Sequence, residues 1–174
     1  MLKSIFLGYD DNEKELFENT RTEIGELVYK LKYQKDKKCL NEIMNLIKEI
    51  LDKWNLREKV DFIIPVPPSN RKRKYQPVFE IAKEIANYLG KECRCDVLNK
   101  ISDFQVKDGH NVKGTIKQIS ELQMSGNVLV VDDLFSTGAT LNEVCKVLKN
   151  DKNINKVYCL VLTKTKRWFF WKFL

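Results

Sequence analysis

The sequence predicts an α/β fold, a parallel twisted sheet flanked by helices, with further helices at the N-terminus. Three observations predict it. Short, nearly continuous apolar runs stand at Val60 to Val66, Asn127 to Asp132 and Val157 to Leu162, and a strand apolar on both sides of its pleat is buried on both faces. Helical periodicity separates these runs, and strands that alternate with helices build parallel sheets. At 174 residues the chain has room for one hydrophobic core but not for two substantial ones, so residues 1–174 are expected to form one domain.

Taken in order, the first sixty residues predict a short strand or turn and then two helices. Ile24, Leu27, Val28 and Leu31 recur at helical spacing, as do Leu40, Ile43, Met44, Ile47, Ile50 and Leu51. The polar stretch Tyr33 to Lys38 separates them. The run Val60-Asp61-Phe62-Ile63-Ile64-Pro65-Val66-Pro67-Pro68 is a buried strand stopped by prolines. A basic loop follows, containing Arg71-Lys72-Arg73-Lys74. Pro77 can open a helix whose apolar face is Val78, Ile81, Ala82, Ile85, Ala86 and Leu89, with Gly90 to close it. Cys95 to Leu98 is expected to be a strand, and the polar stretch Asn99 to Gly114 a long exposed loop of the kind that often serves as a lid. The second buried strand, Asn127 to Asp132, leads through a Ser-Thr-Gly turn into a helix from about Ala139 to Leu148. Val157 to Leu162 is the third strand.

Composition bounds the partners. Lys and Arg outnumber Asp and Glu by 31 to 24, giving a formal charge of +7 that favours an anionic ligand: a phosphorylated metabolite, a nucleic acid or an acidic membrane. Charge alone does not choose among them, and scattered solvated lysines give the same total. Nothing in the chain is long and apolar enough for a transmembrane segment. Met1 to Leu7 is too short an apolar stretch for a signal peptide, so a cytoplasmic location is expected. The five cysteines, Cys39, Cys93, Cys95, Cys145 and Cys159, contain no C-x-x-C pair and read as thiols of a reducing compartment. Cys93 and Cys95 could share one face of a strand, but His110 and the scattered cysteines do not complete a ligand set, so no zinc site is expected. The aromatic tail Trp168 to Leu174 is expected to cover the protein's own core or a subunit interface, with docking to a membrane surface or a partner as the alternative, which leaves a homo-oligomer open.

The chemistry is concentrated in Val128-Leu129-Val130-Val131-Asp132-Asp133-Leu134-Phe135-Ser136-Thr137-Gly138-Ala139-Thr140. Two adjacent carboxylates stand at the carboxyl end of a buried strand, the edge where open α/β sheets bind ligands. Ser136 to Thr140 can present backbone N–H groups at a helix N-terminus, where unpaired donors and the helix dipole favour a phosphate. Gly138 permits close approach, and the hydroxyls of Thr137 and Thr140 add donors. Ionised Asp132 and Asp133 only accept hydrogen bonds, which suits the vicinal hydroxyls of a ribose. A strand-ending Asp and a helix-capping Ser are common in proteins without any ligand. Such uses account for one Asp or one Ser, but not for the whole order of residues.

This segment resembles the motif by which type I phosphoribosyltransferases bind 5-phosphoribosyl-1-pyrophosphate (PRPP). The resemblance implies that Asp132 and Asp133 hold the ribose hydroxyls and serve catalysis, and that Ser136, Thr137, Gly138, Ala139 and Thr140 cradle the 5-phosphate. It also implies transfer of a 5-phosphoribosyl group to an acceptor with release of pyrophosphate, assisted by Mg²⁺ that arrives with PRPP. A second resemblance, to the ComF-type branch, rests on Tyr29-Lys30-Leu31-Lys32-Tyr33, Ile64-Pro65-Val66-Pro67, the basic loop, Gln105 and His110 to Gly114. The branch's cysteine-rich zinc module is not expected in this chain. On these resemblances residues 1–60 form a helical hood, 61–165 the PRPP-binding core and 166–174 the aromatic tail. Arg71, Lys72, Arg73 and Lys74 are candidates for the pyrophosphate, and Lys107 for a lid that closes over it. The alternative is a module that senses PRPP or a nucleotide without turnover, with nucleic acid as a less favoured partner.

Overall fold

Phe62–Pro65 (β3) is the strand around which the described part of the molecule is organised. The computed structural model describes residues 2–9, 15–68, 75–101 and 114–165. β3 lies between Glu92–Cys93 (β4) and Gly126–Phe135 (β7), and β7 pairs in turn with Ile154–Lys164 (β8). The order β4-β3-β7-β8 is parallel throughout, with Ile63 opposite Leu129, Ile64 opposite Val130, and Val130 opposite Cys159.

Alternation along the strands divides the core into two layers. Ile63, Leu129 and Val131 pack with Ile81, Ile85 and Leu89 of helix α4 (Pro77–Leu89), and with the N-terminal helices α1 (Glu23–Tyr29) and α2 (Lys38–Lys53). Ile64, Val128 and Val130 face the other way, onto Val144 and Leu148 of helix α5 (Ala139–Leu148). The sheet is therefore covered on both faces, which is why its strands are apolar without alternation. The helix at Pro77 begins and ends as expected, with Gly90 in the left-handed conformation at φ 68°, and α5 spans the expected residues.

Between α1 and α2 the chain widens into a π-helical turn, Lys30–Gln34, closed by Lys35 at φ 57°. α2 buries Leu40, Ile43, Met44, Ile47 and Leu51, but Ile50 is 42% exposed. At 3.6 residues per turn Ile50 falls on the flank of that stripe rather than within it. Leu56–Lys59 (α3) then leads into β3.

Three other expectations are corrected. The N-terminus holds a full antiparallel hairpin, Leu2–Tyr9 (β1) with Glu15–Arg21 (β2), and a register shift between Phe6 and Gly8. Cys95 to Leu98 is not a strand: Cys95 and Asp96 form a turn, in which the Arg94 guanidinium grips the Asp96 carboxylate at 2.9 Å through both Nε and Nη2. Asn99 and Lys100 belong to strand Leu98–Lys100 (β5), antiparallel to Ile116–Gln118 (β6), so they are not part of a loop. Among the described residues no helix is long and apolar enough to cross a membrane.

Candidate functional site

β7 carries the carboxylates further than its apolar run predicts. The strand continues past Asp132 to Phe135 because β8 goes on pairing with it, Leu134 opposite Thr163 and Phe135 opposite Lys164, and Thr165 N donates to Phe135 O at 2.9 Å. Thr163 Oγ1 donates to Asp133 O at 2.6 Å. The carboxylates thus stand on a strand that β8 still pairs along one edge, after pairing with β3 has ended at Val131.

The two carboxylates live in different surroundings. Asp133 accepts a hydrogen bond from Lys32 Nζ at 2.9 Å, a contact that spans 101 residues of sequence and joins the π-helical turn to the sheet edge. Asp132 accepts from the backbone N–H of Asp133 at 2.8 Å. Burial, and then the neighbouring Asp133 charge, push the Asp132 carboxyl up to about 6, although backbone N–H groups and Lys32 pull the other way. Lys32 is the residue that the site residues taken from the motif leave out. Its one trace in the sequence is the segment Tyr29 to Tyr33, and nothing there says that its ammonium reaches Asp133.

A cleft of about 340 Å³ opens at this edge. It brings together Asp132, Asp133 and Thr140 with Lys32, and is lined also by Pro67 and Pro68, which follow β3. Ser136, Thr137, Gly138 and Ala139 make the turn between β7 and α5 but do not line the cleft. In that turn Thr137 Oγ1 accepts from Ala139 N at 3.3 Å. Gly138, the N-cap of α5, supplies no side-chain cap, and with Ala139 N taken by Thr137 the N–H groups of Thr140 and Leu141 are the first-turn donors left for an anion. Gly138 sits at φ 79°, and a Cβ there would come within 2.9 Å of the Phe135 ring. The glycine thus serves the left-handed turn and the packing of Phe135, in addition to any close approach by a ligand.

A second cavity, of about 230 Å³ and mainly apolar, lies against the first and shares Lys32, Asp133 and Leu134 with it. Tyr29 and Tyr33 line it with ring centroids 4.8 Å apart, and the Arg21 guanidinium lies 3.8 Å from the Tyr29 centroid. A larger cleft of about 720 Å³, between β6 and the end of α5, contains neither carboxylate of the pair. Size does not select the site; the convergence of charge and helix terminus does.

Arg71, Lys72, Arg73, Lys74, Lys107, Gln105, His110 and the tail Trp168 to Leu174 lie outside the described residues. The candidate lid is described only at its ends. Ile101 N donates to Thr115 O at 2.7 Å, and Gly114 N to Glu143 Oε1 of α5 at 2.6 Å.

Comparison with known proteins follows the same line. The model of the family described as the phosphoribosyl transferase domain matches residues 31–171. Adenine phosphoribosyltransferase from Saccharomyces cerevisiae, solved with an iminoaltritol bisphosphate and adenine, is similar in fold. It is 15% identical, with a TM-score of 0.54 over 94% of this chain and 83% of that one. Another adenine phosphoribosyltransferase is 14% identical, with a TM-score of 0.52 over 94% of this chain and 85% of that one. No curated protein matches the sequence.

Proposed function

The chain belongs to the phosphoribosyl transferase domain family, a pentosyltransferase class, and from that premise we propose that it transfers the 5-phosphoribosyl group of PRPP from the 340 Å³ cleft beside Asp132 and Asp133. The single observation that carries this proposal is the convergence, in one cleft, of an adjacent carboxylate pair, Lys32 and Thr140 of the first turn of α5. Asp132 and Asp133 accept hydrogen bonds from the ribose hydroxyls, and the turn from Ser136 to Thr140 receives the 5-phosphate. Work of this kind is orientation and electrostatic stabilisation, with no protein nucleophile.

The pyrophosphate is assigned to Arg71 to Lys74. They stand beyond Ser69 and Asn70 from Pro67 and Pro68, which line the cleft, and that closeness in sequence supports the assignment. Mg²⁺ prefers hard oxygen donors and keeps much of its shell for substrate phosphates, so two carboxylates beside a pyrophosphate suit it, and when bound it neutralises the leaving group. Lys107 is proposed to close with the lid, whose end is tied to α5 through Gly114 and Glu143. The acceptor is proposed to enter the second cavity, where Tyr29 and Tyr33 offer aromatic faces next to Asp133.

Membership of the ComF-type branch belongs to the same proposal. It is supported by the segment Tyr29 to Tyr33, which supplies Lys32 to one cavity and both tyrosines to the next. So does a single domain over 1–174, supported by the core that α1 and α2 share with α4 and β7. A cytoplasmic location is supported by five cysteines that stand as free thiols. The test is turnover: purified protein with PRPP, Mg²⁺ and a panel of purine, pyrimidine and amine acceptors, with pyrophosphate release as the readout. Acceptor-dependent release supports the enzyme. PRPP binding with no release for any acceptor supports the sensing module instead.

A further inference from the structure

Cys93 and Cys95 do not take part in the cleft, yet the structure holds their Sγ atoms 3.6 Å apart. The holding is specific. Arg94 N donates to Ile63 O at 2.8 Å and fixes the backbone between them to β3. The Arg94 side chain is bound to Asp96 at 2.9 Å and to Ser120 Oγ at 3.1 Å. With the middle residue anchored, the two flanking thiols are left on a common side, both half-buried at the sheet's edge. A disulfide needs sulfurs about 2.05 Å apart, so closing the pair takes a movement of about 1.5 Å.

We propose that Cys93-Arg94-Cys95 is a reactive dithiol site for small disulfides of the glutathione class, with Cys95 the attacking sulfur and Cys93 the resolving one. The Cys95 thiolate attacks one sulfur of glutathione disulfide. A new S–S bond forms, the old one breaks, and one glutathione thiolate leaves with the electron pair. Cys93 then gives up its proton to solvent and attacks the Cys95 sulfur, expelling the glutathione bound there as a second thiolate. Two protein thiols are oxidised and one disulfide is reduced to two thiols, and excess glutathione reverses both steps.

The environment assigns the roles. The hydrogen bond shared with Cys93 holds the Cys95 thiol below its ordinary value, with help from Lys83 and against burial, Asp96 and Glu80. Its bond to Cys95 raises Cys93, as do burial and Glu92, against Lys83. The other close pair, Cys145 on α5 and Cys159 on β8, has its sulfurs 3.5 Å apart. Burial, and then the bond to Cys145, push the Cys159 thiol up to about 12. Cys39 is buried and raised. Distance alone would not separate the two pairs; the backbone does, since Cys93 and Cys95 flank one residue held to Ile63 and Asp96, whereas Cys145 and Cys159 stand on separate elements, α5 and β8.

The experiment treats the reduced full chain with glutathione disulfide and maps the products by peptide mass. The expected product is a Cys93–Cys95 disulfide, seen as the loss of two hydrogens and as a link across the tryptic cut after Arg94. Cys93→Ser should stop at a glutathione adduct on Cys95, and Cys95→Ser should react ~10-fold more slowly. A brief iodoacetamide pulse on the unaltered chain decides the matter even if a variant does not fold, and Cys95 should label ~10-fold ahead of Cys93, Cys145 and Cys159. Equal labelling, first labelling at Cys145 or Cys159, or equal adducts in the two serine variants would overturn the proposal.

Discussion

Val128 to Val131 and Asp132 to Phe135 are consecutive stretches of one strand, built for opposite purposes. The first stretch is fully buried, each residue at 0% exposure, and divides its side chains between the two core layers. The second stretch keeps the same pairing with β8 but carries two carboxylates and turns them into a cleft. What differs is the solvent environment, and the difference shows in Asp132, whose carboxyl is pushed up by the burial that stabilises its neighbours. The first stretch supplies stability that the second spends on holding charge in place.

The largest test of this contrast is Asp132→Asn with Asp133→Asn. Hydrogen bonds to charged groups contribute roughly 1.5–3 kcal/mol each, so PRPP affinity should fall by ~100-fold or more, with an unchanged circular dichroism spectrum. Retained affinity would break the proposed division. Leu129→Ala is the converse: it should lower stability by about 2–5 kcal/mol in denaturant titrations, while the folded fraction keeps its PRPP affinity.

Asp132→Asn alone sharpens the comparison through pH. The folded value of about 6 lies above the ordinary 3.8, so between the two the folded protein holds a proton that the unfolded chain has lost. Stability from this group is full below about pH 4 and is lost as pH rises through 6. The variant should lack that decline and be more stable than the parent at pH 8 by on the order of 2 kcal/mol, measured as urea midpoints from pH 4 to 8.

Much of this contrast was legible in the sequence, and the reasons are local. β3, α4, the core of β7 and α5 are each announced by residues within a dozen positions of one another, with prolines and glycines at their ends. The site was legible where its parts are contiguous, from Asp132 to Thr140. Lys32 was not, because its contact with Asp133 spans 101 residues. The extension of β7 to Phe135 was hidden for a similar reason: Asp-Asp reads as a strand end, and only pairing with β8 carries the strand on. The Cys95 turn was hidden because a side chain, Arg94 on Asp96, closes it.

Smaller effects test the turn and the lysine. Gly138→Ala must take a left-handed φ and push against Phe135, and should cost about 1–2 kcal/mol of stability. Adding Phe135→Ala should not restore the backbone part of that cost, and differential scanning calorimetry of the two variants separates the contributions. Lys32→Met removes a partly exposed ion pair, so its effect on stability should stay within about 1 kcal/mol. Its PRPP affinity should drop by ~10-fold, since the cleft loses a cation that an anionic ligand would meet.

The central claim is tested most directly by calorimetric titration of PRPP with Mg²⁺ into the unaltered protein, alongside ribose 5-phosphate, pyrophosphate and a short DNA oligonucleotide. Saturable binding of PRPP at one site per chain, tighter than all three controls, is the predicted result. A folded sample that binds PRPP no better than pyrophosphate or DNA would contradict the assignment of the cleft.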